Sequence, residues 1–155
     1  MRKIFIVVSL GILISILFPK LIVPILLFVS CLLFMVRFGQ FTALDVDPLP
    51  FFTLIMFHLY GIMPSFYFVV ISLPIIDAFA SRLNQYSVIN FISILLTLIL
   101  FYFLPLNALT YGILFFNFLR IAISPVFGIP LNNGLFSVIH AGIYFTAASL
   151  VSFFI

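Results

Sequence analysis

At 155 residues, of which 66% are hydrophobic, 19% aromatic and only 6% charged, the chain has a mean hydropathy of +1.50. Soluble domains carry roughly 25% charged residues, and one of this size has too little interior to hide so much apolar surface. The net charge of +3 is scattered over Arg2, Lys3, Lys20, Arg37, Arg82 and Arg120, a spread that excludes a basic nucleic-acid-binding patch and leaves lipid as the solvent of the chain.

The length holds about six or seven helices of bilayer-spanning size and little else, so one integral membrane domain over residues 1–155 is expected. The apolar runs are continuous rather than alternating with period two, which predicts an all-α, polytopic transmembrane helical bundle and not a β-barrel. Turn residues set the predicted helices at 3–18, 21–37, 49–60, 64–82, 87–104, 107–126 and 134–155.

Arg2 and Lys3 precede the first apolar run in the charge layout of a signal peptide. No small-residue cleavage site follows Ile16-Leu17-Phe18-Pro19, so an uncleaved first span is expected. The second helix carries the lone Cys31, expected as a small lipid- or core-facing hydrophobe because no second cysteine exists to pair with it. In the loop Leu44-Asp45-Val46-Asp47-Pro48, the two carboxylates have a spacing that suits a cation. Their ordinary reading is a solvated pair ahead of a helix N-terminus, where negative charge suits the macrodipole.

The stretch from Pro50 to Arg82 reads either as one long kinked span or as a hairpin broken at Gly61-Ile62-Met63-Pro64. Glycine just past one helix and proline opening the next favour the hairpin, with 49–60 as a short arm rising only about 18 Å. The distribution of basic residues supports it as well. With a hairpin and a cytoplasmic N-terminus, Arg2, Lys3, Arg37 and Arg82 face the cytoplasm, Arg120 lies toward that side, and only Lys20 is outside. The expected location is therefore an integral protein of the plasma membrane.

The remaining helices show which faces look inward. Asn90, Ser93 and Thr97 recur at helical spacing on 87–104, as do Thr110, Asn117, Arg120 and Ser124 on 107–126. The last helix carries the small residues Ser137, Ala141, Ala148 and Ser152 along one face, a pattern that membrane helices use to pack.

Ionisable residues within such spans are costly and mark candidate sites. Asp77, Arg120 and His140 each fall about 7 to 9 Å inside the same boundary in the hairpin topology, by helix rise alone. Together with Asn117 on the polar stripe they form the predicted intramembrane polar centre. Asp77 reads as a carboxylate for a ligand, ion or proton, or as a counter-ion to Arg120 or Arg82. Arg120 reads as part of the polar stripe or as a side chain snorkelling to the interface.

No metal site and no cofactor are expected. His58 and His140 are predicted near opposite ends of the membrane, and no His, Cys or Asp group has ligand spacing. Intramembrane hydrolysis lacks its signatures. The nearest feature is Ser65 after Gly61-Ile62-Met63-Pro64 with His140 elsewhere, and Ser65 reads better as a helix-start residue.

The run from Pro50 to Asn84, with a short helix, a turn at Gly61, then Ser65-Phe66-Tyr67-Phe68 leading to Ile75-Ile76-Asp77, resembles the corresponding hairpin of MreD-type proteins and of the S-components of energy-coupling-factor transporters. The chain departs from that pattern in lacking repeated glycines before the aspartate. The resemblance implies a small helical membrane subunit that works with partners, with Asp77 on the buried face of its helix. The expected function is thus a multi-pass subunit in the lipid bilayer, a substrate-binding or permeation component or a scaffold. It would act with protein partner subunits or as a homo-oligomer. The alternatives are an intramembrane enzyme and a purely structural membrane protein.

Overall fold

The computed structural model describes residues 19–38, 47–80, 84–104, 106–130 and 134–154. The predicted helix 3–18 lies outside the described residues, as do Arg2, Lys3, Asp45 and Arg82. The described residues form six α-helices and no strand: α1 (Pro19–Phe38), α2 (Leu49–Tyr60), α3 (Ile62–Phe79), α4 (Gln85–Phe103), α5 (Ala108–Ile123) and α6 (Gly134–Phe154). A 3-10 turn, Ser124–Phe127, follows α5 and shortens the helix expected over 107–126. All but α2 are long and apolar enough to cross a membrane, which is the pattern of a multi-pass membrane protein.

Local chemistry sets the helix ends. The Asn84 side chain accepts the Tyr86 N–H at 2.9 Å to open α4, and that of Asn107 accepts from Leu109 and Thr110 to open α5. Between α2 and α3 the break is complete at one residue: Gly61 has φ 84° and ψ −171°, a conformation that is essentially glycine-only. Leu49–Tyr60 and Ile62–Phe79 are therefore two helices that pack against each other, as the hairpin reading expects. The second begins at Ile62 rather than at Pro64, so the proline sits in the first turn, where its missing N–H has no helical partner to lose. Hydroxyls inside the helices turn back on their own backbone, as Thr53 does onto Leu49 O, Thr97 onto Ser93 O and Ser124 onto Arg120 O.

The short helix is the centre of the bundle. α1, α3, α4 and α5 all pack on α2, and Phe51 of α2 meets Tyr144 of α6 with ring centroids 5.3 Å apart. Half of its residues are buried, among them Leu49, Leu54 and Met56. The closest approach is at Gly112 of α5, where a Cβ would lie 2.9 Å from Leu54 Cδ2 and 3.6 Å from Thr97 Cγ2. Only a residue without a side chain lets α2 and α4 come so near to α5. The outer surface is apolar, with large side chains such as Leu33, Phe79, Phe103 and Phe153 facing outward as lipid contact requires.

Candidate functional site: a buried polar centre at one end of the bundle

α4 and α5 are joined by a short link, so they run antiparallel, and one close contact sets their register. Gly112 backs onto Thr97, where an added Cβ would lie 3.6 Å from Thr97 Cγ2. Stepping along both helices from that contact, about 1.5 Å per residue, places Ser93 within one residue of the level of Asn117 and Asn90 within one residue of the level of Arg120. All four are buried, at 6% exposure or less. Asp77 on α3 and His140 on α6 are buried as well, at 6% and 0%. Each of the residues expected at the polar centre is thus taken out of contact with the surroundings, and Arg120 does not snorkel.

The residue that ties the centre together is Asp47. Its expected place as a solvated loop carboxylate is corrected by the structure: it is only 4% exposed. Its Oδ1 accepts the backbone N–H of Leu49 at 2.9 Å and so opens α2, while its Oδ2 faces Asn90 Nδ2 at 3.5 Å. The backbone carbonyl of Asp47 meets His140 Nε2 at 2.9 Å. A carbonyl only accepts, so Nε2 carries the proton and donates. Asp47 is carried inward because it precedes the one helix that the others surround. Its place ahead of a helix N-terminus, where negative charge suits the macrodipole, was legible. Its burial had no local signal.

Around this anchor, His140 stacks at 4.6 Å on Tyr144 and lies 5.8 Å from Phe116, the neighbour of Asn117. Cys31 of α1 is fully buried, a core hydrophobe, and its sulfur is within Coulombic reach of both Asp47 and Asp77. The hydrogen bonds and ring contacts join α4, α5 and α6 to the segment that leads into α2.

Among the described residues, Asn90 Oδ1, Ser93 Oγ and Asn117 Oδ1 are buried with no hydrogen-bond partner. The two amide orientations follow from chemistry. Asn117 Nδ2 donates to Ile113 O at 2.7 Å and Asn90 Nδ2 faces a carboxylate, partners that only accept, so each Oδ1 is turned the other way.

Other candidates fall elsewhere. His58 is exposed in the last turn of α2, about 16 Å of helix rise from Asp47 and its bond to His140. Ser65 donates to Gly61 O at 2.8 Å at that same far end of α2, so Ser65 and His140 do not form a nucleophile and base. Among the described residues no three His, Cys, Asp or Glu side chains gather at metal-ligating distance. Comparison with protein-family models, with curated proteins and with solved structures finds no match for this chain.

Proposed function

We propose that the chain is a substrate-binding or permeation subunit of a membrane complex, and that its polar centre takes a small solute presenting hydrogen-bond donors or a positive charge. One observation carries this reading: Asn90 Oδ1, Ser93 Oγ and Asn117 Oδ1 are buried with no hydrogen-bond partner among the described residues, and Asn90 lies against Asp47. A buried polar group left unsatisfied costs about 1–3 kcal/mol. Three of them on adjacent faces of α4 and α5 are a standing cost that a donor-bearing ligand removes. Two of the three are amide carbonyl oxygens, which only accept, and the buried Asp47 carboxylate lies against Asn90, so the complementary solute is cationic or rich in N–H or O–H groups.

A scaffold role is favoured by a different observation, the Asp47 bonds to Leu49, Asn90 and His140, which lock α2 into the bundle. The two readings separate at Asn117. In a purely structural centre, replacing an unpartnered acceptor by an apolar group of similar shape is neutral or stabilising. The test is thermal unfolding of the purified protein in nanodiscs, titrated with ammonium, sodium and guanidinium chlorides at constant ionic strength. Binding predicts that one cation raises the midpoint saturably in the wild type and not in Asn117→Leu, since a ligand at a hundred times its Kd adds about 2.7 kcal/mol. A wild type that responds to none of the three, with Asn117→Leu more stable, sinks the binding reading and leaves the scaffold.

Partner subunits, the plasma membrane and a cytoplasmic N-terminus belong to this proposal. Lys20 and Arg37 stand at opposite ends of α1, and Arg37 and Arg120 both lie at helix C-terminal ends. That division of basic residues supports placing the polar centre toward the cytoplasm.

A further inference from the structure

A groove runs between α1 and α3 on the outside of the bundle. It has a volume of about 360 Å³ and is lined by Pro24 and Phe28 of α1 and by Pro64, Tyr67, Ile71 and Ile75 of α3, with no charged residue along it. The α3 residues recur at spacings of three and four, so they form one stripe along that helix. From Pro64 to Ile75 the stripe rises about 16 Å, close to half the roughly 30 Å hydrocarbon thickness of a bilayer. The groove is therefore about one leaflet deep.

Its Pro64 end opens on a second recess, of about 240 Å³, lined by Lys20, Leu59, Tyr60 and again Pro64. Lys20 is exposed in the first turn of α1 and is the charged residue of this recess. An apolar slot one leaflet deep with an ammonium group at its mouth is complementary to an amphiphile with an anionic head. We propose that the α1–α3 groove is a binding site for an anionic phospholipid, with one acyl chain along Phe28, Ile71 and Ile75 and the phosphate headgroup on Lys20. The site depends on α1 and α3 spanning the bilayer and is independent of what the polar centre binds.

The occupant is tested by placing a photo-crosslinking amino acid at Ile71, which is 57% exposed. The full chain is reconstituted in phosphatidylcholine vesicles containing a minority of phosphatidylglycerol. The same amino acid at Leu33, exposed on α1 and not part of the groove lining, reports the bulk lipid ratio. Crosslinked phosphatidylglycerol at Ile71 should exceed its bulk share about fivefold, the factor supplied by one lysine near an anionic headgroup. The enrichment should vanish in Lys20→Gln and return in Lys20→Arg, with the unfolding midpoint unchanged in both. A yield that follows bulk composition at Ile71 as at Leu33 overturns the proposal. So does a crosslink that lands on residues 1–18 or on a second copy of the chain, since the groove would then be filled by protein.

Discussion

His140 and Asp47, ninety-three residues apart in sequence, are joined by a hydrogen bond of 2.9 Å from the imidazole Nε2 to the backbone carbonyl of Asp47. The bond fastens α6 to the residue whose carboxylate accepts the first N–H of α2, so the central helix is held from outside as well as by its own chain. His140→Phe keeps the ring contact with Tyr144 but removes the N–H that this buried carbonyl accepts, and should cost about 1–3 kcal/mol of stability. His140→Gln retains an N–H at a similar reach and should recover a large part of it. Reversible unfolding in mixed micelles measures both, and equal losses in the two variants would show that the hydrogen bond contributes nothing.

Gly112 is the point at which α5 admits α2. A Cβ there meets Leu54 Cδ2 at 2.9 Å, whereas one added at Gly142 meets nothing within 4 Å. Leu54 is fully buried and has little room to withdraw. Gly112→Val should therefore destabilise by about 1–3 kcal/mol more than Gly142→Val, by the same unfolding measurement. Gly112→Ala should fall between, because a leucine tip yields more easily than backbone.

The two glycines with positive φ differ in kind. Gly61 lies at φ 84° and ψ −171°, while Gly128 lies in the ordinary left-handed region at φ 73° and ψ 16°. Asparagine enters the left-handed region readily, so Gly128→Asn should be nearly silent. Gly61→Ala should cost about 1–3 kcal/mol and raise protease sensitivity between α2 and α3. Comparable stability of the two variants would show that the hairpin does not depend on the Gly61 conformation.

Asp77 and Arg120, both buried in the polar half of the bundle, should not behave independently. Neutralising one member of a buried charge set leaves the others less compensated, so Asp77→Asn and Arg120→Gln singly should each destabilise by about 3–5 kcal/mol. The double variant should lose at least about 1 kcal/mol less than the sum. Strict additivity in this double-mutant cycle would place the two charges in separate environments.

The inward faces of α4, α5 and α6 could be read from residue spacing. Asn90, Ser93 and Thr97 are buried as a set, as are Asn117 and Arg120 and, on α6, Ser137 and Ala148, whereas Thr110, Ser124, Ala141 and Ser152, expected on the same stripes, are only half-buried. The stripes are legible because a polar side chain inside an apolar span has one comfortable direction, toward other protein. The break at Gly61 was legible for an equally local reason, since glycine and proline restrict only their own backbone and their neighbours'.

Asp47 shows where such reasoning stops. From its own neighbours it is a loop carboxylate ahead of a helix, and a carboxylate in that position is solvated when the helix lies at the edge of a bundle. The sequence by itself determined a lipid-solvated helical chain, the ends of the described helices to within about two or three residues, and much of the faces that turn inward. The tertiary structure decided that the short Leu49–Tyr60 helix is the one surrounded by the others, and with it the burial of Asp47 beside Asn90 and His140. Helix formation and amphipathy depend on residues within a turn or two, whereas burial depends on which other helices arrive, and twelve apolar residues look the same at the rim of a bundle as at its axis.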